Sequence, residues 1–131
     1  MDDHSLERLD FFRIREILAG FALSSLGRGL ALAIHPVSRH ALVERWLRQI
    51  GELQLLAEER GMPPFAGITD IRDILNRCAP PLRVNVDEMA RVGDTLVGTH
   101  AISAYLRDLP ETCPELKHLA ERIGDFQPLA D

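Results

Sequence analysis

Five histidines, two cysteines and one pair of aspartates are the side chains with chemistry to offer. His4, His35, His40, His100 and His118 are scattered, and none has a partner at a metal-ligand spacing such as H-E-x-x-H. His35 and His40 are close, but their separation sets them on different helical faces or on a loop. No metal site is expected. Cys78 and Cys113 stand apart and neither lies in a C-x-x-C, so both read as free, buried thiols. Cys113 falls in the first turn of an expected helix, where a thiol pKa drops. A buried helix-start cysteine is nevertheless the simpler reading. No G-x-S-x-G elbow occurs. Asp70 and Asp73 have the spacing of paired carboxylates. Acids in the first turn of a helix are common for a structural reason, because they complement the positive end of its dipole.

The stretch PPFAGITDIRDIL, residues 63–75, poses the sharpest question. A glycine turn opening a helix can cradle phosphate on free N–H groups. Here there is one glycine, no lysine, and two acids that would repel an anion. Lys117 is the single lysine among 15 basic residues, so the G-x-x-x-x-G-K-[ST] phosphate loop is excluded. The stretch therefore reads as a structural corner. Gly67 makes the bend and Thr69 or Asp70 caps the next helix. Ile68, Ile71 and Ile74 face the core, and Arg72 enters a local ion pair with the acids. Arg28, Arg39, Arg45 and Arg48, with His35 and His40, form a mildly basic region interrupted by Glu44. They are the candidates for contact with a nucleic-acid backbone, against the default of a solvated helix face. A net charge of −5 with well-mixed signs argues against a dominant nucleic-acid surface. Nothing in the chain supports catalysis, a bound cofactor or a metal.

Helices must position these residues, since the apolar pattern is helical almost throughout. Phe11, Phe12, Ile14, Ile17, Leu18 and Phe21 predict a first helix over about residues 9–23. Ser24 or Ser25 caps a second, which His35-Pro36 stops. Ser38 caps a long third helix near residues 38–60, closed by Gly61. Its Val43, Trp46, Ile50, Leu53 and Ala57 form a seam, with Leu42, Leu47 and Leu56 widening the apolar face. That seam is read as core, packed against more than one neighbour, rather than as a partner-binding stripe. A fourth helix holds Ile71, Ile74 and Leu75 and ends at Pro80-Pro81. Asn85 and Glu88 make a capping box for a fifth, whose small residues Thr99 and Ser103 would permit a close helix approach. Thr112-Cys-Pro-Glu115 is a second capping box, opening a short helix to about Ile123. LRVNV at 82–86 is the one short alternating stretch. The fold class is all-α, about six helices in an irregular bundle. An apolar fraction of 46% over 131 residues suffices for a single helical domain, 1–131. The acidic N-terminus has no signal-peptide character and no run is long enough to span a bilayer. A soluble cytoplasmic protein without membrane contact is expected. The uncapped tail, GDFQPLAD, looks like a cut in a longer protein.

The order of features resembles MutS-family proteins. Ser25-Leu-Gly27-Arg28, the Ala-Ile34-His-Pro36 ending and a long helix from Val43-Glu44 come first. Pro64-Phe-Ala-Gly67-Ile-Thr69-Asp70-Ile-Arg72 then resembles the family's glycine–Ile–x–Asp–Ile–Arg corner. The Asn85-Val-Asp-Glu-Met89 helix start follows. Ala66 departs from a usual second glycine, and Pro80-Pro81 from a more polar turn. The likeness runs from about residue 9 to about 123. Because core-like features begin almost at Met1, it is similar to the second bacterial subfamily, which lacks mismatch recognition and carries a C-terminal Smr nuclease domain. That resemblance implies a non-catalytic N-terminal piece of the core and lever region, coupling nucleotide state to a DNA-binding clamp. The full-length protein would use ATP and Mg and form a homodimer. It would act in DNA repair and recombination control on branched DNA, or on the ribosome. The partners of this piece would be the remaining domains of the same protein. The alternative is an independent helical protein–protein adaptor using the Trp46 stripe.

Overall fold

A computed structural model describes residues 3–78, 83–124 and 126. Among them are seven helices and no strand: α1 Asp3–Arg8, α2 Phe11–Gly20, α3 Ser25–Leu32, α4 His40–Arg60, α5 Arg72–Arg77, α6 Val86–Tyr105 and α7 Pro114–Ala120. Residues 83–86 of the alternating stretch form no strand; Leu82 and Pro80-Pro81 lie outside the described residues. The expected first helix is shorter, because Asp10 takes a left-handed conformation (φ 52) and separates α2 from an additional α1. Ser24 caps α3, its Oγ accepting the Gly27 N–H at 3.0 Å. Asn85 and Glu88 form a complete reciprocal capping box on α6. Each of these caps lies three residues from its target, so local sequence suffices to set it.

Two other expected caps are absent. The N-cap of α4 is Arg39 rather than Ser38, with no side-chain hydrogen bond. At α7 the N-cap is Cys113, and Thr112 does not cap it. The reason is a distant competitor. Glu52, buried on α4, accepts the N–H groups of Glu115 at 3.2 Å and Leu116 at 2.8 Å. These are the second- and third-position amides that a local cap would satisfy. A carboxylate there also meets the positive helix end.

The principal core lies where α4 meets α7 and the turn before it. Leu56, Leu109, Cys113 and Leu116 are buried together, with Leu53, Tyr105, Leu106, Leu119 and Ala120 around them. α2 packs on α1 and α3, where Leu6, Ala19 and Ala31 are buried. The α4 seam is only half core. Trp46, Leu47 and Ile50 are exposed, as are Ile14 and Ile17 on α2 and Phe21 just past its end. Periodicity marks an apolar face correctly in each case; the neighbour to cover it is missing among the described residues. Cys113 is buried but Cys78 is exposed, correcting the expectation for one of the two thiols.

Candidate functional site

Residues 61–71 form a strap between α4 and α5 that runs antiparallel along α6. Gly61 and Gly67 both have φ near 81°, a conformation that disfavours any residue with a Cβ. At one end Tyr105 Oη donates to the Gly61 carbonyl at 2.7 Å, and burial pushes the tyrosine pKa up. In the middle, Gly98 of α6 lets the strap come down onto the helix. A Cβ there would stand 2.7 Å from Ile68 Cγ1 and 3.1 Å from the Ala66 carbonyl oxygen. The close approach is thus at Gly98, not at Thr99 or Ser103. Thr99 turns its hydroxyl back onto its own helix, donating to the Thr95 carbonyl at 2.7 Å. Thr95 is buried, and its Oγ1 accepts the Thr69 N–H at 3.2 Å while sharing a hydroxyl contact with Thr69.

Beyond Thr69 the strap reaches α3. The Asp70 N–H donates to Ser25 Oγ at 3.0 Å. The helix α5 starts at Arg72, after Ile71, so neither Thr69 nor Asp70 is its formal N-cap. Asp70 still serves the helix start. Its carboxylate accepts the Arg72 N–H at 3.1 Å and Arg72 Nε at 2.9 Å, and takes a further bond from the guanidinium. That guanidinium holds the Asp70 carboxyl down to about 2. Ile74 is buried, while Ile68 and Ile71 are half-buried. From the end of α5, Arg77 pairs with Glu88 of the α6 capping box, which lowers the Glu88 pKa.

The four candidate phosphate-contacting arginines are spread over two elements. Arg28 is exposed on α3 and Arg39 is exposed at the start of α4. Arg45 and Arg48 converge on Glu115 of α7, at 2.9 and 3.4 Å. Their positive charge, Arg45's first, draws the Glu115 pKa down. Committed to a carboxylate, these two have less to offer a phosphate. Among the described residues, no cluster of His, Cys, Asp and Glu has the makings of a metal site. No helix of the described residues is long and apolar enough to cross a membrane. The arrangement as a whole has the chemistry of a joint.

Three residues that hold this joint were not singled out from sequence: Glu52, Arg60 and Gly98. Arg60 closes α6 by donating to the carbonyls of Tyr105, Arg107 and Asp108 at 3.0 to 3.3 Å. A cation at a helix C-terminus is favourable in general, but only the fold brings this one there.

Comparison with known proteins gives a consistent answer. The endonuclease MutS2 of Halothermothrix orenii is 31% identical over 109 residues, 83% of this chain. That of Acetivibrio thermocellus is 32% identical over 124 residues, 95% of this chain. The chain is related to the MutS2 proteins. A third relative, the endonuclease MutS2 of Lactiplantibacillus plantarum, is 26% identical over 133 aligned positions covering 100% of this chain. The chain spans only 14 to 17% of the length of these MutS2 relatives. No family model and no solved structure matches it.

Proposed function

We propose that this chain is the N-terminal part of the core and lever region of a MutS2-type ATPase, with no catalytic role of its own. The observation that carries this reading is the MutS2 relation, which takes in most of this chain but a seventh or less of Halothermothrix orenii MutS2. The uncovered apolar faces of α2 and α4 support it, since a core segment would pack them against further helices of the same polypeptide. In this reading the strap, α5 and α6 form a stiff corner that passes nucleotide-driven movement toward a DNA clamp. ATP and Mg, branched DNA or the ribosome, and a homodimeric partner would all act through the rest of that protein. Arg28 and Arg39 are the better placed of the four arginines for a backbone phosphate.

A chimera tests the proposal. This chain replaces its counterpart in the Halothermothrix orenii protein, and ATP hydrolysis with and without DNA is measured. Retained nucleotide hydrolysis is expected, whereas the isolated chain should neither hydrolyse ATP nor cut DNA. Robust turnover by the isolated chain, or a chimera that folds but has lost hydrolysis, refutes it. The exposed Trp46, Leu47 and Ile50 favour a second reading, an adaptor that docks a partner on α4. Under that reading Trp46→Ala would leave the chimera's hydrolysis intact yet abolish capture of a separate partner.

A further inference from the structure

The helices fall into two groups, α1–α3 and α4–α7, and among the described residues no helix of one group packs substantially on a helix of the other. Among the described residues, α1 packs on α2, α2 on α3 and α4 on α7. Residues 34–39 have no regular structure, and residues 32–40 are all exposed. The backbone amides of Ala33 and Ile34 bond back to α3, and Arg15 donates to the Ile34 carbonyl at 3.4 Å. The Arg39 carbonyl already accepts the first bonds of α4. That leaves His35–Ser38 as the only stretch between the groups. Pro36 stiffens its own φ and restricts His35, so the freedom concentrates at Val37 and Ser38.

Where the groups touch, they do not close. The Asp70–Ser25 hydrogen bond lies in the wall of one of two clefts. One, of about 490 Å³, is lined by Ser25, Leu26, Gly29 and Leu30 on one side and by Asp70 and Arg72 on the other. The second, of about 220 Å³, lies between the α2–α3 turn and Met62 and Phe65 of the strap. Both clefts are open to solvent at the surface. Leu30, Phe21 and Met62 beside these clefts remain more than 70% exposed. Within α4–α7, by contrast, the strap lies tightly on Gly98 and polar ties fix both its ends.

We infer that α1–α3 and α4–α7 are two rigid bodies hinged at Val37–Ser38 and latched by the Ser25–Asp70 hydrogen bond. One net hydrogen bond biases such an equilibrium by about fivefold, so both arrangements are populated. Nothing in the hinge requires a longer polypeptide, so it stands or falls separately from the MutS2 assignment.

Pulsed dipolar spectroscopy on the whole chain tests it. Spin labels go on the exposed native Cys78 and on Glu16→Cys of α2; buried Cys113 stays unlabelled. A control pair within one body joins Cys78 to Ala104→Cys at the far end of α6. The hinge predicts two distances for the first pair and one for the control. Ser25→Ala shifts the ratio of the two by about fivefold and leaves the control unchanged. Two glycines inserted between Val37 and Ser38 broaden the first pair only. A single narrow inter-body distance unmoved by either change overturns the inference, as does a control distance that moves with Ser25→Ala.

Discussion

Gly98→Ala isolates what the strap contributes. Alanine is the better helix former by about 1 kcal/mol, so an unobstructed change in α6 should stabilise the protein. Gly93, five residues earlier on the same helix, meets that condition, because a Cβ there has nothing within 4 Å. At Gly98 the new methyl would lie 2.7 Å from Ile68 Cγ1 and 3.1 Å from a backbone oxygen. Neither is the free end of a flexible side chain, so the strap must lift. Overpacking of this kind costs about 1–3 kcal/mol, and loss of the Thr69–Thr95 bond adds about 1 kcal/mol. Net of helix propensity, Gly98→Ala should destabilise by about 1–3 kcal/mol while Gly93→Ala stabilises by about 1 kcal/mol. The two variants would then melt about 8–16 °C apart, at about 4 °C per kcal/mol for a chain of this size. Urea and thermal unfolding followed by circular dichroism measure the gap. If Gly98→Ala is as stable as Gly93→Ala, the strap does not rest on α6 as described.

The capping assignments separate cleanly. Asn85→Ala should cost about 1 kcal/mol and Thr112→Ala close to nothing, while Glu52→Ala should cost about 2 kcal/mol by leaving two amides of α7 unsatisfied. Hydrogen exchange at Glu115 and Leu116 should accelerate in Glu52→Ala alone. Acid should destabilise the fold. Asp70, Glu88, Glu111 and Glu115 all have folded pKa values below their ordinary ones, each because of a paired cation. Their contribution is therefore complete above the unfolded carboxylate range, about pH 4, and is lost as pH falls through the folded values. Tm should stay level from about pH 7 to about pH 5, then fall, with the Asp70 contribution lasting to near its folded value of about 2. Asp70→Asn should remove the part of the fall that lies near pH 2.

How far the sequence could be read depended on the distance over which each residue acts. Ser24 and the Asn85–Glu88 box act over three residues, and their types and spacing disclose them. The bend at Gly67 and the Asp70–Arg72 pair are likewise local. Glu52 acts across 63 and 64 residues. In sequence it is one more acid on a charged helix, and Thr112 presents the more persuasive pattern. Gly98 looks like a weak point in a helix until Ile68 is seen above it. The apolar stripes of α2 and α4 show the converse. Their period is legible, but no period states whether a neighbour arrives to cover them, and here Trp46 and Ile17 stay exposed. Similarly, Arg45 and Arg48 read as a basic surface until Glu115 meets them from α7.

The dependence of α6 and α7 on α4 has a temporal side. Glu52 caps the start of α7 and Arg60 the end of α6, so each later helix takes one terminus from α4. On a ribosome adding about 5–20 residues each second, the Glu52 carboxylate emerges roughly 3–13 s before the amides it will receive. The long helix is therefore a template already waiting when its clients appear. Moving residues 40–60 to the C-terminal end by circular permutation would reverse that order. The permuted chain would have to hold an uncapped α7 start and an uncapped α6 end in solution until their template was made.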